Sequence, residues 1–258
     1  MSDPVVVAVE QNVGIIELAR PEKYNCLSRM AWQMIDQARS GFEADAGVRA
    51  ILIRAQGDNF CTGADLDEVK GQLDDAAATE AFLRAGHSAL INLEASPLPV
   101  VAAVQGLCLA GGLELMLGAD VAFAGESARL GDQHAQYGLI PGWGGSQRLP
   151  CLIGLCRALD LMYSARWLTA QEAHRIGLVS CVSADDKLQE EAMAYAVDLT
   201  GRSRQGLAEM KRLARRGLEL PIEEAMRFEA EAATVHLGGG DTAEGLAAFE
   251  ARRKPKFD

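Results

Sequence analysis

The chain has 258 residues, 49% of them hydrophobic and 24% charged, and its 36 acidic side chains against 25 basic ones give a formal net charge of −11. That length supports one large domain or two modest ones around a sizeable core. The acidic balance argues against binding nucleic acid or anionic membrane over a broad face. An acid in the opening Met1-Ser2-Asp3-Pro4 stands where a secretory signal would carry bases. The most apolar stretch, Pro97 to Leu113, is interrupted at Gln105-Gly106 and falls short of a membrane span. Six scattered cysteines, with neither a C-x-x-C pair nor a histidine at ligand spacing, point to reduced thiols in a cytoplasm and to no metal site.

In chain order, the β-branched runs Val5 to Val9 and Val13 to Leu18, joined at Gln11-Asn12, predict a hairpin at a sheet edge. Ser28 is placed to cap a helix running to about Ala44, and Ala50 to Arg54 reads as a strand. A glycine-containing loop then leads into Ala64 to Val69, and a helix is predicted from about Thr79 to Leu93. Val100 to Val104 reads as a strand buried on both faces, followed by a tight turn, Gly106 to Gly112, and a short helix, Leu113 to Leu117. Strands are predicted at Asp120 to Ala124 and Ala128 to Gly131. This alternation suggests an α/β core of similar layers. Beyond Pro150 the reading turns helical, with a capping box at Thr169 to Glu172 and helices at Leu188 to Thr200, Arg204 to Arg216, Pro221 to Leu237 and Asp241 to Arg253. The composition shift near Asp185 to Leu188 divides the chain into residues 1–187 and 188–258.

Four segments offer chemistry. The turn Phe60-Cys-Thr-Gly-Ala64-Asp-Leu66 can present free backbone N–H groups, although as an isolated string it reads better as a structural turn. Gly111-Gly112 opens a helix whose Glu114 is set among Leu113, Leu115 and Met116, where a carboxylate needs a partner or a task. Asp132 and His134 are titratable groups beside the Gly/Pro-rich turn Gly138 to Gly145. The tail Arg252-Arg-Lys-Pro-Lys256-Phe257 is a basic cluster, in its blander reading a solvated helix end. G-x-S-x-G, G-x-G-x-x-G and Walker patterns are absent from the sequence.

Together these segments resemble the enoyl-CoA hydratase/isomerase (crotonase) superfamily. The resemblance is carried by Arg20 to Leu27, Phe60 to Leu66, Pro99 to Glu114, Ile140 to Leu149, Leu168 to Ala173 and Phe249 to Phe257, in the family's order over nearly the whole chain. It implies an α/β fold, a crotonase-like spiral of ββα repeats, with a helical C-terminal region that assembles homotrimers or hexamers. It also implies a coenzyme A thioester as substrate, with no cofactor and no metal.

By the same resemblance the backbone N–H groups of Ala64 and Gly111 hold the thioester oxygen as an oxyanion hole, a task suited to fixed donors at a helix start. Glu114 matches one of the two catalytic glutamates of the family's hydratases, and His134 stands where the other would be. Glu114 is then the base that activates water and His134 the proton donor. Lys23, Tyr24, Asp65 and Leu66 are implied along the CoA, with Lys254, Lys256 and Phe257 reaching it from the tail of the same or a neighbouring subunit. Trp143, Leu73 and Phe82 are expected as walls of the acyl pocket. Enoyl-CoA hydration is the activity this arrangement favours. Double-bond isomerisation, C–C bond hydrolysis and a non-catalytic acyl-CoA-binding scaffold are the alternatives.

Overall fold

The computed structural model describes residues 3–257. Strands β1 (Val5–Glu10) and β2 (Val13–Leu18) form the expected hairpin, closed by Gln11 and Asn12 with φ of 50° and 65°. Two successive left-handed residues give a turn whose twist matches that of the strands. Strand β2 then pairs in parallel with β3 (Ala50–Ala55), and β4 (Val100–Val104), β6 (Val121–Gly125) and β9 (Cys181–Ser183) extend the sheet in the order β1-β2-β3-β4-β6-β9.

Side chains alternate across this sheet, as strand geometry requires. Ile51, Ile53, Val100, Ala102 and Val104 face one core, which is covered by α1 (Arg29–Ala44) and α3 (Ala76–Ala95). Ala50, Leu52, Val101 and Ala103 face the other, covered by Leu188, Ala192 and Ala196 of α8 (Leu188–Thr200). Ser28 caps α1 by accepting from the Ala31 N–H at 3.1 Å. Helix α3 starts earlier than its apolar spacing indicates, because Asp75 accepts from the Ala78 N–H at 3.0 Å and caps it there.

A second, three-stranded sheet consists of β5 (Leu107–Leu109), β7 (Arg129–Gly131) and β8 (Leu168–Thr169). Strand β5 lies within the segment read from sequence as one tight turn; Gly106, at φ 52°, makes the turn alone, and the next three residues pair with β7. An isolated bridge, Cys61 to Cys108, ties the loop after β3 to this sheet. Each passage therefore gives one strand to the large sheet, one pairing to the small sheet and then a helix. Such a helix is α2 (Leu66–Gly71) after β3 and α4 (Gly111–Leu117) after β4.

Helices α5 (Gly145–Ile153), α6 (Leu155–Ser164) and α7 (Ala170–Arg175) follow, the last opened by the expected capping box of Thr169 and Glu172. Beyond α8, α9 (Arg204–Gly217) and α10 (Ile222–Leu237) pack on each other, and α11 (Gly240–Glu250) follows. Lys211 and Arg215 of α9 bind Asp120 at 2.8 Å each, anchoring the helix beside β6. Helix α11 stops at Glu250, short of the predicted Arg253, where Arg252 turns to φ 50°. Among the described residues no helix is long and apolar enough to cross a membrane.

Candidate active site

The loops that leave β3, β4 and β6 converge beyond the C-terminal ends of these parallel strands, where open α/β sheets place their ligands. All seven residues of α4 are buried, Glu114 among them at 1% exposure. Its Oε1 accepts hydrogen bonds from the backbone N–H groups of Trp143 and Gly145, both at 2.7 Å. Its Oε2 is buried and has no partner among the described residues. Burial raises the Glu114 carboxyl above the ordinary glutamate range, against the pull of the Gly145 N–H, the His134 ring and the Trp143 N–H. One oxygen is thus fixed and the other is left to accept a proton.

His134 Nε2 stands 3.9 Å from that free Oε2. On its other side, His134 Nδ1 is 3.0 Å from Asp132 Oδ1, and Asp132 is itself 1% exposed. Burial disfavours a charged ring, but the hydrogen bond and charge of Asp132 and the charge of Glu114 outweigh it. They hold His134 above the ordinary histidine value. Glu114 and His134 were expected together and the fold brings them together. Asp132 was visible in the sequence only as a titratable neighbour; its Asp-x-His spacing, which lets one turn join carboxylate to imidazole, was the available signal. The Trp143 and Gly145 amides carried no such signal, since no side-chain pattern shows where a backbone N–H will point.

Ala64 and Gly111 also meet. Leu27 bridges Ala64, its N–H donating to Gly63 O at 2.7 Å and its C=O accepting from Asp65 N–H at 2.9 Å. The intervening Ala64 N–H therefore faces away from Leu27, and it has no acceptor among the described residues. Gly111 opens α4, where the first N–H groups of a helix lack intrahelical partners. The preceding Ala110 has φ 48° and ψ −120°, a strained conformation for a residue with a Cβ, and it sets the direction of the Gly111 N–H. A Cβ on Gly63 would come within 3.1 Å of Gly111 N, so the two amide-bearing segments are in contact.

Trp143 is 2% exposed and packs edge-on against Trp32, with ring centroids 4.9 Å apart, and tilted against Phe82 at 5.2 Å. A Cβ on Gly111 would collide with the Trp143 ring, so the indole lies directly on the helix start. Trp143 and Phe82, both expected as pocket walls, are thereby brought into contact within the hydrophobic core. Leu73 is not brought to them: it is 70% exposed between α2 and α3 and joins neither hydrophobic cluster.

The seven expected CoA contacts fall into two groups. Lys23 pairs with Asp67 at 2.9 Å, Tyr24 and Leu66 are exposed, and Asp65 caps α2 while pairing with Arg20 at 2.9 Å. Burial opposes ionisation of Asp65, but Arg20 and Lys23 hold its carboxyl below the usual range. This group borders Ala64. The tail group lies elsewhere: the Phe257 C=O accepts from Arg49 Nη1 at 3.5 Å, and the Lys256 N–H donates to Glu244 at 2.7 Å. Arg49 precedes β3 and Ala64 follows it, and the six residues of that strand span about 20 Å. Within one chain, Lys254, Lys256 and Phe257 therefore stand apart from Lys23 and Tyr24.

The sequence model of the enoyl-CoA hydratase/isomerase family matches residues 8–258. A Rhizobium meliloti protein described as a probable enoyl-CoA hydratase is 37% identical over 255 residues, covering 99% of this chain and 98% of its own length. The mitochondrial methylglutaconyl-CoA hydratase of Rattus norvegicus is 36% identical over 256 residues, covering 96% of this chain and 80% of that protein. The crystal structure of an enoyl-CoA hydratase from Bacillus anthracis superposes with a TM-score of 0.94 at 31% identity, covering 98% of each chain. The crossing of a buried glutamate with two facing backbone amides thus sits on a shared fold, and the chain belongs to the enoyl-CoA hydratase/isomerase family of enzymes.

Proposed function

We propose that the protein adds water across the double bond of a 2-enoyl-CoA thioester. The observation that carries this reading is the pair formed by Glu114 Oε2 and His134 Nε2, two proton-handling atoms 3.9 Å apart beside the Ala64 and Gly111 amides. A thioester oxygen seated between those N–H groups is stabilised as negative charge develops on it, a contribution of about 3 kcal/mol per donor. Glu114, with Oε1 already occupied, takes the proton of the attacking water as its oxygen bonds to Cβ. His134 then delivers a proton to Cα. The scheme calls for no cofactor beyond the CoA carried by the substrate.

Lys23, Tyr24, Asp65 and Leu66 line the approach to Ala64 and suit the pantetheine and adenine ends of CoA. Their separation from Lys254, Lys256 and Phe257 supports a CoA site completed by a neighbouring subunit's tail. A homotrimer, or a hexamer of paired trimers, would place it there, and the exposed Ile222, Met226, Val235, Leu237 and Phe249 of the C-terminal helices give such an assembly apolar surface to cover. Six free thiols suit a reducing, cytoplasmic setting.

The test is incubation of the purified protein with crotonyl-CoA and with longer 2-enoyl- and 3-enoyl-CoAs, followed by mass spectrometry. A gain of one water is expected. A double-bond shift without mass change would replace this reading by isomerisation, and binding without turnover would replace it by a scaffold role.

A further inference from the structure

An ionised carboxylate buried as deeply as Asp132 is costly unless partnered, and the hydration scheme assigns it no proton. Its Oδ1 accepts from two donors of one residue, the His134 backbone N–H at 3.3 Å and the His134 ring at Nδ1, 3.0 Å away. The backbone contact sets the distance and the ring contact sets the rotation of the imidazole, leaving Nε2 as the edge that faces the site. Nε2 in turn stands 3.9 Å from Glu114 Oε2. Both Glu114 Oε2 and Asp132 Oδ2 are buried without a partner among the described residues. One imidazole therefore lies between two buried carboxylates. A neutral ring donates to only one of them, whereas a protonated ring donates from both nitrogens and offsets one of the two negative charges.

We propose that Asp132 is a positioning residue that holds His134 through Nδ1–H, so that Nε2–H is presented to Glu114 Oε2 and to the carbon awaiting a proton. The identity of that carbon rests on the hydration reading. Glu114 removes a proton from water as the water oxygen bonds to Cβ, and the C=C electron pair moves onto the thioester oxygen as an enolate. Collapse of the enolate takes the Nε2 proton onto Cα, leaving a neutral imidazole and a protonated Glu114. Passage of that proton back to Nε2 restores both groups. Asp132 neither gains nor loses a proton; it fixes which nitrogen carries the one that moves.

The charged groups that face the ring are Asp132 from its own turn and Glu114 from α4. Helix α6 packs on the Ala135–Tyr137 turn, but its Asp160 is taken by Arg166 at 3.0 Å and its Arg157 is exposed. Arg148 of α5 is bound to Glu94.

The state of the ring is read directly by nitrogen-15 NMR of histidine-labelled protein, with His134 identified among the four histidines by its loss in His134→Gln. The wild-type ring is expected to titrate above the free value of about 6.5. In Asp132→Asn, which keeps shape and removes charge, the midpoint falls by about one unit or more. The same variant loses about a hundredfold or more in kcat with crotonyl-CoA while KM stays within about threefold, and the alkaline limb of its rate profile moves to lower pH. A wild-type ring that titrates like free histidine overturns the proposal, as does an unmoved midpoint or an unchanged kcat in folded Asp132→Asn. If that variant fails to fold, the nitrogen-15 shifts of the wild-type ring decide: Nδ1 is expected to keep its proton when the ring is neutral, and a neutral ring protonated at Nε2 alone overturns the proposal. If the ring behaves as expected but the wild type does not hydrate crotonyl-CoA, the hydration reading falls and the hold of Asp132 on His134 stands.

Discussion

Arg148 and Glu94 form a two-point ion pair, Nε to Oε1 at 2.8 Å and Nη2 to Oε2 at 2.7 Å, while Arg148 Nη1 donates to the Trp143 carbonyl at 2.8 Å. The peptide segment so held is the one whose Trp143 and Gly145 N–H groups grip Glu114. Glu94 also accepts from Arg215 of α9 at 3.1 Å, so the anchoring of the C-terminal helices and the seating of the carboxylate share one side chain. Replacing Arg148 by Lys keeps the charge and loses the fork. Arg148→Lys is expected to cost about 1.5–3 kcal/mol of stability in urea titrations. Its kcat should drop about tenfold if Glu114 is the base of the proposed hydration, because a loosened loop misplaces its carboxylate. Wild-type kcat in a destabilised Arg148→Lys protein would confine the pair to a structural part.

Glu114→Gln separates the carboxylate's chemistry from its fit. The amide oxygen still accepts from Trp143 and Gly145, so the fold should be retained while turnover falls by about 10²- to 10⁴-fold. Stability should move the other way. A folded carboxyl whose pKa is raised contributes stability that is present below the unfolded value and is lost as pH rises through the folded one. The variant should therefore melt higher than wild type at pH 8, and the gap should close near pH 4. An equal or lower melting temperature at pH 8 would show that the ionised carboxylate is not strained in this site.

How much of this was legible beforehand follows the reach of each cause. The Gln11-Asn12 hairpin, the Ser28 cap and the Thr169 to Glu172 capping box depend on residues a few positions apart, and the sequence displays them directly. Strand β5 depends on pairing Leu107 with Arg129 across an intervening helix, and nothing local marks it. The same divide runs through the site. Glu114 stood out because an acid in an apolar helix requires an explanation, and His134 through its place in a known pattern. The Trp143 and Gly145 amides, the exposed position of Leu73 and the distance between tail and Lys23 are set by tertiary packing. Asp132 lies on the boundary: its spacing to His134 was readable, but its burial was not.

Trp143 occupies the space beside Gly111, wedged between Trp32 and Phe82. An indole lying on the helix start would limit the room next to a thioester held by the Gly111 amide. Trp143→Leu keeps the backbone N–H that serves Glu114 and shortens the wall. It is expected to raise the ratio of kcat/KM for an eight-carbon over a four-carbon 2-enoyl-CoA by about tenfold, the low end of what one methylene is worth in an apolar pocket. The loss of ring packing should cost about 2–4 kcal/mol. A chain-length profile identical to that of the wild type would remove Trp143 from the acyl wall.

The basic tail offers a test of sharing between subunits. Lys254 and Lys256 are exposed point charges, apt for phosphate and screened by salt. The double variant Lys254→Ala/Lys256→Ala is expected to raise KM for crotonyl-CoA about threefold at low ionic strength and to leave kcat unchanged. It should have no effect on a crotonyl-pantetheine substrate that lacks the nucleotide. Mixing this double variant with Glu114→Gln chains then tells which subunit's tail is used. If the tail serves a neighbour, a site with intact Glu114 in a tail-defective chain can borrow the lysines of a Glu114→Gln chain, and refolded mixtures gain low-KM activity that neither parent has. If each tail serves its own site, every active site in the mixture keeps a defective tail and the KM stays raised. The strand of about 20 Å, β3, that separates Arg49 from the loop carrying Ala64 favours the first result.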